Sequence, residues 1–380
     1  MITLGFVASR PRERHLWDFG LFLLSGYESN HGVSPYGDEL LATYASEFHV
    51  TLTAPYLNPP VTVLVFRPLA KLEPFRAFRI WWVLSLLLYG LCAAWLVYTG
   101  PGDKVLRGLW AFSLAALWMT QALGQIYVPL LALVILAYGS LGRGDLVGGV
   151  CVGLLAALKP NFLLWPALLL ITGETVVAFT AFLVFGCAWM LPAVVFGPDI
   201  YRAWLGAVAA YTAPQLPTNA SVTLWLSAFM PWSAVWIIAT VAIVGCAAYL
   251  TKRRAPAPFC TDVALVLVIA ASSIAWIGYM LLALPVFLRR TWSAPIMLSA
   301  ALFTLPANAL WQWWFNHPQD VFGPRMAYPL AVLLLLLGLI REGPAAEDRT
   351  LSRGSVSRAG VRAPAAPRAC AAPPTFPTRS

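Results

Sequence analysis

Charge is what this sequence has least of. Only 11% of its 380 residues are Asp, Glu, Lys or Arg, against roughly 25% in ordinary soluble domains. With 60% apolar residues, 17 Trp, 20 Phe and 13 Tyr, and a mean hydropathy of +0.74, there is too little polar surface to wrap a water-soluble core. A soluble globular enzyme is excluded, and the bilayer must be the solvent. Cysteine is sparse as well. Cys92, Cys151, Cys187, Cys246, Cys260 and Cys370 form no close pair and four lie inside apolar runs, so they read as small apolar fillers, not as a disulfide framework or metal site. His15, His31, His49 and His317 are scattered, which argues against a metal-ligand set. P-loop, HExxH, CxxC, GxSxG and DxD patterns are all missing, so neither a soluble nucleotide-sugar nor a cofactor is expected.

The charges that remain are unevenly placed. The formal net charge is +9, but the stretch 341–380 carries seven Arg against Glu342, Glu347 and Asp348, and Arg10, Arg12 and Arg14 face Glu13 near the start. Little excess is left for the body of the chain, so the basic character gives no reason to expect a nucleic-acid partner.

Crossing a hydrocarbon core of about 30 Å takes about 20 apolar residues. Clear runs of this kind occupy 80–98, 126–142, 174–196, 232–250 and 263–283, with less regular ones at 57–72, 108–123, 147–172, 294–310 and 326–340. An all-α polytopic protein of about nine or ten transmembrane helices follows. Lys159-Pro160 inside 147–172 and Gly124-Gln125 between two apolar halves predict broken helices, which survive at membrane depth only where protein or a watery cavity satisfies them. Three regions result: a short N-terminus over 1–17 that looks like the remnant of a first helix whose start is missing, a multi-pass domain over 18–341, and a disordered Ala/Pro/Arg-rich tail over 342–380.

Lys and Arg in short connections set orientation. Arg67, Lys71, Arg76 and Arg79 form one cluster and Lys252, Arg253 and Arg254 another, and both are expected on the cytoplasmic side. Six crossings separate them when 147–172 counts as one broken span. The segment from Leu16 to Phe66, which has no Lys or Arg but holds Asp18, Glu28, Asp38, Glu39 and Glu47, then lies outside. It is rich in aromatics and turns around Tyr27, Pro35-Tyr36-Gly37, Tyr44 and Tyr56, and runs into Asn58-Pro59-Pro60. A second outside loop, about 197–231, holds Asp199, Tyr201, Arg202, Trp204, Tyr211 and Asn219. Two polar-aromatic loops on one face look like a site.

Few ionisable groups remain to do chemistry. Asp18, between Trp17 and Phe19, is either a partly desolvated general base or a helix N-cap. Asp38-Glu39 reads as a cap. Lys159 either meets a phosphate at its helix break or snorkels to the interface. Gln125 offers an amide that serves a ligand or a neighbouring helix.

Taken in order, Asp18-Phe19, Gly32 to Pro35-Tyr36, Tyr56-Leu57-Asn58-Pro59-Pro60, Gly124-Gln125, Leu158-Lys159-Pro160, Asn219-Ala220-Ser221 and Ser272-Ser273-Ile274-Ala275-Trp276 resemble glycosyltransferase family 87, over roughly 15–341. That family belongs to the polyprenyl-phosphate-sugar-dependent membrane transferases of C-type glycosyltransferase fold. The resemblance implies an α-mannosyltransferase-like activity in the cytoplasmic membrane, carrying a hexose from a polyprenyl-phosphate donor to a lipid or glycan acceptor outside. It implies Asp18 as catalytic base, and a lipid-borne donor accounts for the missing DxD. A cation such as Lys159 or Arg202 would stabilise the leaving phosphate, and Tyr36, Asn58, Gln125, Asn219 and Trp276 would line the site. Trp276 is followed by Ile277-Gly278-Tyr279, where family members often carry an acidic residue or His. Two other readings stay open. One is a transporter or flippase for a lipid or polyol with Lys159 and Gln125 on its pathway, and the other is a truncated, non-catalytic paralogue.

Overall fold

The computed structural model describes residues 2–10, 15–37, 39–52, 55–141, 146–212, 216–317 and 322–344. Asp38 and the tail from 345 onward fall outside this set. Among the described residues every extended element is a helix. Four short helices come first, α1 (Ile2–Ala8), α2 (Trp17–Asn30), α3 (Leu41–Phe48) and α4 (Pro60–Phe66). Next come α5 (Pro74–Thr99), α6 (Lys104–Ser113), α7 (Ala115–Leu123), α8 (Tyr127–Ser140) and α9 (Leu146–Leu158). A 3₁₀ turn over Pro160–Leu163 leads into α10 (Leu164–Ile171), then α11 (Thr175–Phe196), α12 (Asp199–Ala210), α13 (Val222–Leu226), α14 (Trp232–Lys252) and α15 (Ala257–Ala271). A second 3₁₀ stretch over Ile277–Ala283 enters α16 (Leu284–Leu288), followed by α17 (Ala294–Phe303), α18 (Ala307–Asn316) and, after a 3₁₀ turn at Pro324–Met326, α19 (Ala327–Glu342).

Local chemistry fixes the starts. Pro74 opens α5 and the Glu73 carboxylate accepts from the amides of Phe75 and Arg76 at 2.9 and 2.7 Å. Asp103 does the same for α6, accepting from Val105 and Leu106. Such caps satisfy amides that lipid cannot.

Four helical stretches are long and apolar enough to cross a membrane: Pro74–Thr99, Thr175–Phe196, Trp232–Lys252 and Pro324–Glu342. Their outer faces carry Leu87, Leu91, Leu183, Val194 and Val241, all more than half exposed, a surface suited to lipid and not to water. A fifth apolar pair, α17 and α18, bends by 75° at its break. The other apolar runs form shorter helices, and one of them, 57–72, does not span at all. Its only α-helix, α4, is seven residues long, about 10 Å, because Pro60 starts it late and Pro68 follows Arg67 to stop it.

The run 147–172 also differs from expectation. Gly149 faces Thr180, Gly153 faces Val184 and the Trp189 indole donates to the Ala157 carbonyl at 3.1 Å, so α9 and α11 run parallel. The chain must therefore reverse between them, and Lys159-Pro160 is the tip of a hairpin, not a break within one span. With one leg more, seven crossings separate the two basic clusters, which lie at opposite ends of the bundle. Gly100, at the end of α5, packs against the Leu288 carbonyl. Arg107 donates to the carbonyls of Leu288 and Arg290 at 2.8 and 2.5 Å, and Tyr249 donates to the Ile340 carbonyl. These contacts join the end of α5 to the Lys252 end of α14, which leaves Arg67–Arg79 at the other end.

The Arg107 end is closed by a buried ion pair. Arg290 contacts the Asp262 carboxylate at 2.5 and 2.7 Å, and the Tyr138 hydroxyl donates to the other carboxylate oxygen. Asp262→Ala strands the guanidinium away from water. The expected loss is about 3–5 kcal/mol, read as a lowered unfolding temperature of the detergent-solubilised chain. Asp262→Leu combined with Arg290→Met should recover most of it.

Candidate active site

The site is assembled where helices break. Trp17 opens α2 with a left-handed φ of 47°, a strained conformation for a bulky residue, and Asp18 follows in the first turn. The N-cap position, Leu16, has no side-chain cap. Asp18 does not serve as one either: its carboxylate accepts a hydrogen bond from the Gln125 amide nitrogen. Gly124 makes that meeting possible. It ends α7 at φ 66°, and a Cβ there would sit 2.5 Å from the Phe19 Cβ and 2.9 Å from the Phe78 ring, so any other residue would push α7 off α2. Phe19 and Phe78 stack beneath with ring centroids 5.1 Å apart.

The hairpin tip delivers the cation. Lys159 Nζ donates to the Asn58 side-chain oxygen at 2.9 Å and lies 5.3 and 5.7 Å from the ring centroids of Tyr127 and Tyr279, an arrangement in which the ring faces attract the ammonium. Gly278 permits it, since a Cβ there would stand 2.2 Å from the Tyr127 ring. Asn58 is fixed in turn: its carbonyl accepts from the Tyr36 hydroxyl at 2.7 Å, and the neighbouring Leu57 carbonyl accepts from the Trp204 indole at 3.0 Å.

Two of the sequence motifs clasp one another. Asn219 and Trp276 form an antiparallel bridge, and the Ala220 amide donates to the Ala275 carbonyl at 2.7 Å. Asn219 Oδ1 accepts from the amides of Ser221 and Ala275. Ser221 and Thr223 both donate to the Ser272 carbonyl, and Asn161, beside the hairpin tip, donates to the Ser272 hydroxyl at 2.7 Å. The clasp thus ties α13 to the end of α15 and to Lys159.

A cavity of about 1340 Å³ gathers these pieces. Asp18, Asn58, Gln125, Lys159 and Trp276, all named from the sequence, line it. Three predicted residues stand elsewhere. Tyr36 borders an adjoining space of about 570 Å³ that shares Leu21, Pro55, Tyr56 and Tyr211 with the main cavity, and its hydroxyl touches Asn58. Asn219 is buried at 3% exposure and holds backbone instead of facing the cavity. Arg202 is a correction: its side chain is 87% exposed and pairs with Asp199 on the same turn of α12 at 2.7 Å, because position 202 falls on the outer face of that helix while Trp204 falls on the inner one. Sequence reading passed over Arg10, Tyr127, Asn161 and Tyr279, which also line the cavity. The signal for two of them was present as aromatics two and three residues after Gln125 and Trp276.

Burial pushes the Asp18 carboxyl above the usual carboxylate range, and the Gln125 amide and the Lys159 charge only partly offset this. A carboxyl so placed binds its proton more tightly than an exposed one and is a stronger base when ionised.

No curated protein and no solved structure gives a significant match to the chain. Residues 56–285 match the sequence profile of Glycosyltransferase family 87, a stretch that contains Asn58, Gln125, Lys159, Asn219 and Trp276 and stops short of Asp18 and Tyr36. The match takes in more than half of the chain, and the protein belongs to glycosyltransferase family 87, a family of membrane glycosyltransferases.

Proposed function

We propose that this protein transfers a hexose, in the first instance an α-mannosyl residue, from a polyprenyl-phosphate donor to a lipid or glycan acceptor on the outer side of the cytoplasmic membrane. The observation that carries the reading is one cavity lined by a hydrogen-bonded carboxylate, Asp18, and an aromatic-flanked ammonium, Lys159.

In this reading the Asp18 carboxylate accepts the proton of an acceptor hydroxyl as that oxygen attacks the anomeric carbon. The bond from that carbon to the phosphate oxygen breaks with inversion, and polyprenyl phosphate leaves as an anion that needs no proton. Lys159 stabilises the departing phosphate from a cavity where charge is little screened. Gln125 aims the carboxylate, and Asn58, held by Tyr36, aims the ammonium.

Membranes containing the chain, supplied with radiolabelled polyprenyl-phosphate mannose, test this. Asp18→Asn is expected to lower transfer by roughly 10²–10⁴-fold; equal transfer by both proteins would remove Asp18 as the base. Lys159→Met should weaken donor use far more than Lys159→Arg does, and equal activity in all three would make Lys159 structural. The pH profile carries a sign. Because burial raises the Asp18 carboxyl, the ionised base is lost on acidification at a pH above the ordinary Asp value of about 3.9. Activity should therefore rise with pH along a limb that lies above that value and is missing from whatever transfer remains in Asp18→Asn.

A further inference from the structure

The cavity has a wall that the mechanism leaves unused. Bending by 75° from α17 brings α18 against it, and Asn308, Trp311, Gln312 and Phe315 line it. Their spacing of three, four and seven residues puts them on one stripe of the helix. The opposite side of the helix, with Leu310, is buried in the bundle, and the Tyr328 hydroxyl holds the bend by donating to the Leu305 carbonyl at 2.7 Å. The stripe is therefore a fixed surface. Trp311 and Phe315 lie with ring centroids 5.4 Å apart, and neither carboxamide of the stripe has a hydrogen-bond partner among the described residues.

We infer that the α18 stripe is the acceptor subsite and that it takes a neutral saccharide ring. A pyranose presents an apolar C–H face and a rim of hydroxyls, and the stripe offers the complement: an indole for the face and two carboxamides one turn apart, each able to donate and accept. Other acceptors fit less well. An anionic one would need a cation beside it, and α18 itself has no Lys, Arg or His, the Arg10 and Lys159 of the same cavity being carried by other segments; a bare acyl chain would leave Asn308 and Gln312 with nothing to bond. A ring resting on Trp311 turns a free hydroxyl toward the cavity that Asp18 lines. This assignment rests on reading the cavity as a transferase site, and it lies beyond the stretch 56–285 that matches the family.

The test separates binding from turnover. The full chain in nanodiscs is mixed with methyl α-glycosides of mannose, glucose and galactose, without donor, and saturation-transfer NMR reports which ring protons touch protein. At least one glycoside should receive saturation through its ring C–H protons. Trp311→Ala should reduce that signal by roughly fivefold or more, the loss of one ring-stacking contact, while Trp311→Phe keeps much of it. Asn308→Ala with Gln312→Ala should weaken it too, and Trp313→Ala, on the outer face, should not. No saturation of any glycoside, or an unchanged signal in Trp311→Ala, overturns the proposal. If saturation behaves as expected but no sugar moves from polyprenyl-phosphate mannose, the transfer reading fails and the saccharide subsite stands. Where transfer is measurable, Trp311→Ala should raise the KM for the acceptor and leave that for the donor unchanged.

Discussion

Asp18 is held by an amide from a helix break more than a hundred residues away, and that contact depends on a glycine with no room for a methyl group. The order of dependence is physical. A membrane helix that ends inside the bundle leaves backbone carbonyls unsatisfied, and α7 ends early because Gly124 turns it into the left-handed region. The next amide is recovered by the Thr120 carbonyl, so the break is closed locally and Gln125 is left free to point at Asp18. The same logic governs Lys159. Its turn is closed through Asn161 and the Ser272 hydroxyl, and its ammonium is left for Asn58 and the two tyrosines. Each polar break solves its own backbone problem and exports one side chain to the cavity.

This explains which parts of the site were legible in the sequence. Gly124-Gln125 and Lys159-Pro160 interrupt apolar runs and Asn58-Pro59-Pro60 stands at the mouth of one, and such marks are visible without knowing the fold, whereas Trp276 lies inside an apolar run and is picked out by its motif alone. Tyr127 and Tyr279 were not visible in that way, because an aromatic residue at the edge of an apolar run is compositionally ordinary in a membrane protein. Their role appears only when two helix ends bring the rings to either side of one ammonium. Arg202 shows the reverse error. A cation in a polar loop reads as available for an anion, but the loop is a helix, and the residue's facing, set by its distance from Trp204, decides what it can reach.

The topology was misread for an equally definite reason. Counting crossings assumes that each apolar run of sufficient length is one span, and the hairpin over 146–171 breaks the assumption: two legs of 13 and 12 residues together look like one long run. Missing that reversal put both basic clusters on one side, and counting 57–72 as a span put a crossing between Arg67–Arg79 and the cavity; the two errors cancel for the cavity itself, which stays opposite the Lys252 cluster. The basic residues at the start of α5 then stand on the same side as the cavity. The orientation rule is a bias summed over loops, and among the described residues Lys and Arg divide equally between the two ends, so charge alone sets no side.

Stability and function are separated along the axis of the bundle. The end away from the cavity is held by Arg107, Tyr138, Asp262 and Arg290, a closed network in which the carboxylate has both a cation and a hydroxyl as partners. At the cavity end, by contrast, the one carboxylate and the one helix-tip ammonium that face each other across the site are bonded to neutral amides, not to one another. In the proposed reaction a direct ion pair there would consume both charges, leaving neither to take a proton nor to meet a phosphate. Interposing Gln125 and Asn58 keeps the two charges positioned yet uncommitted, which is the condition the proposed displacement between them requires.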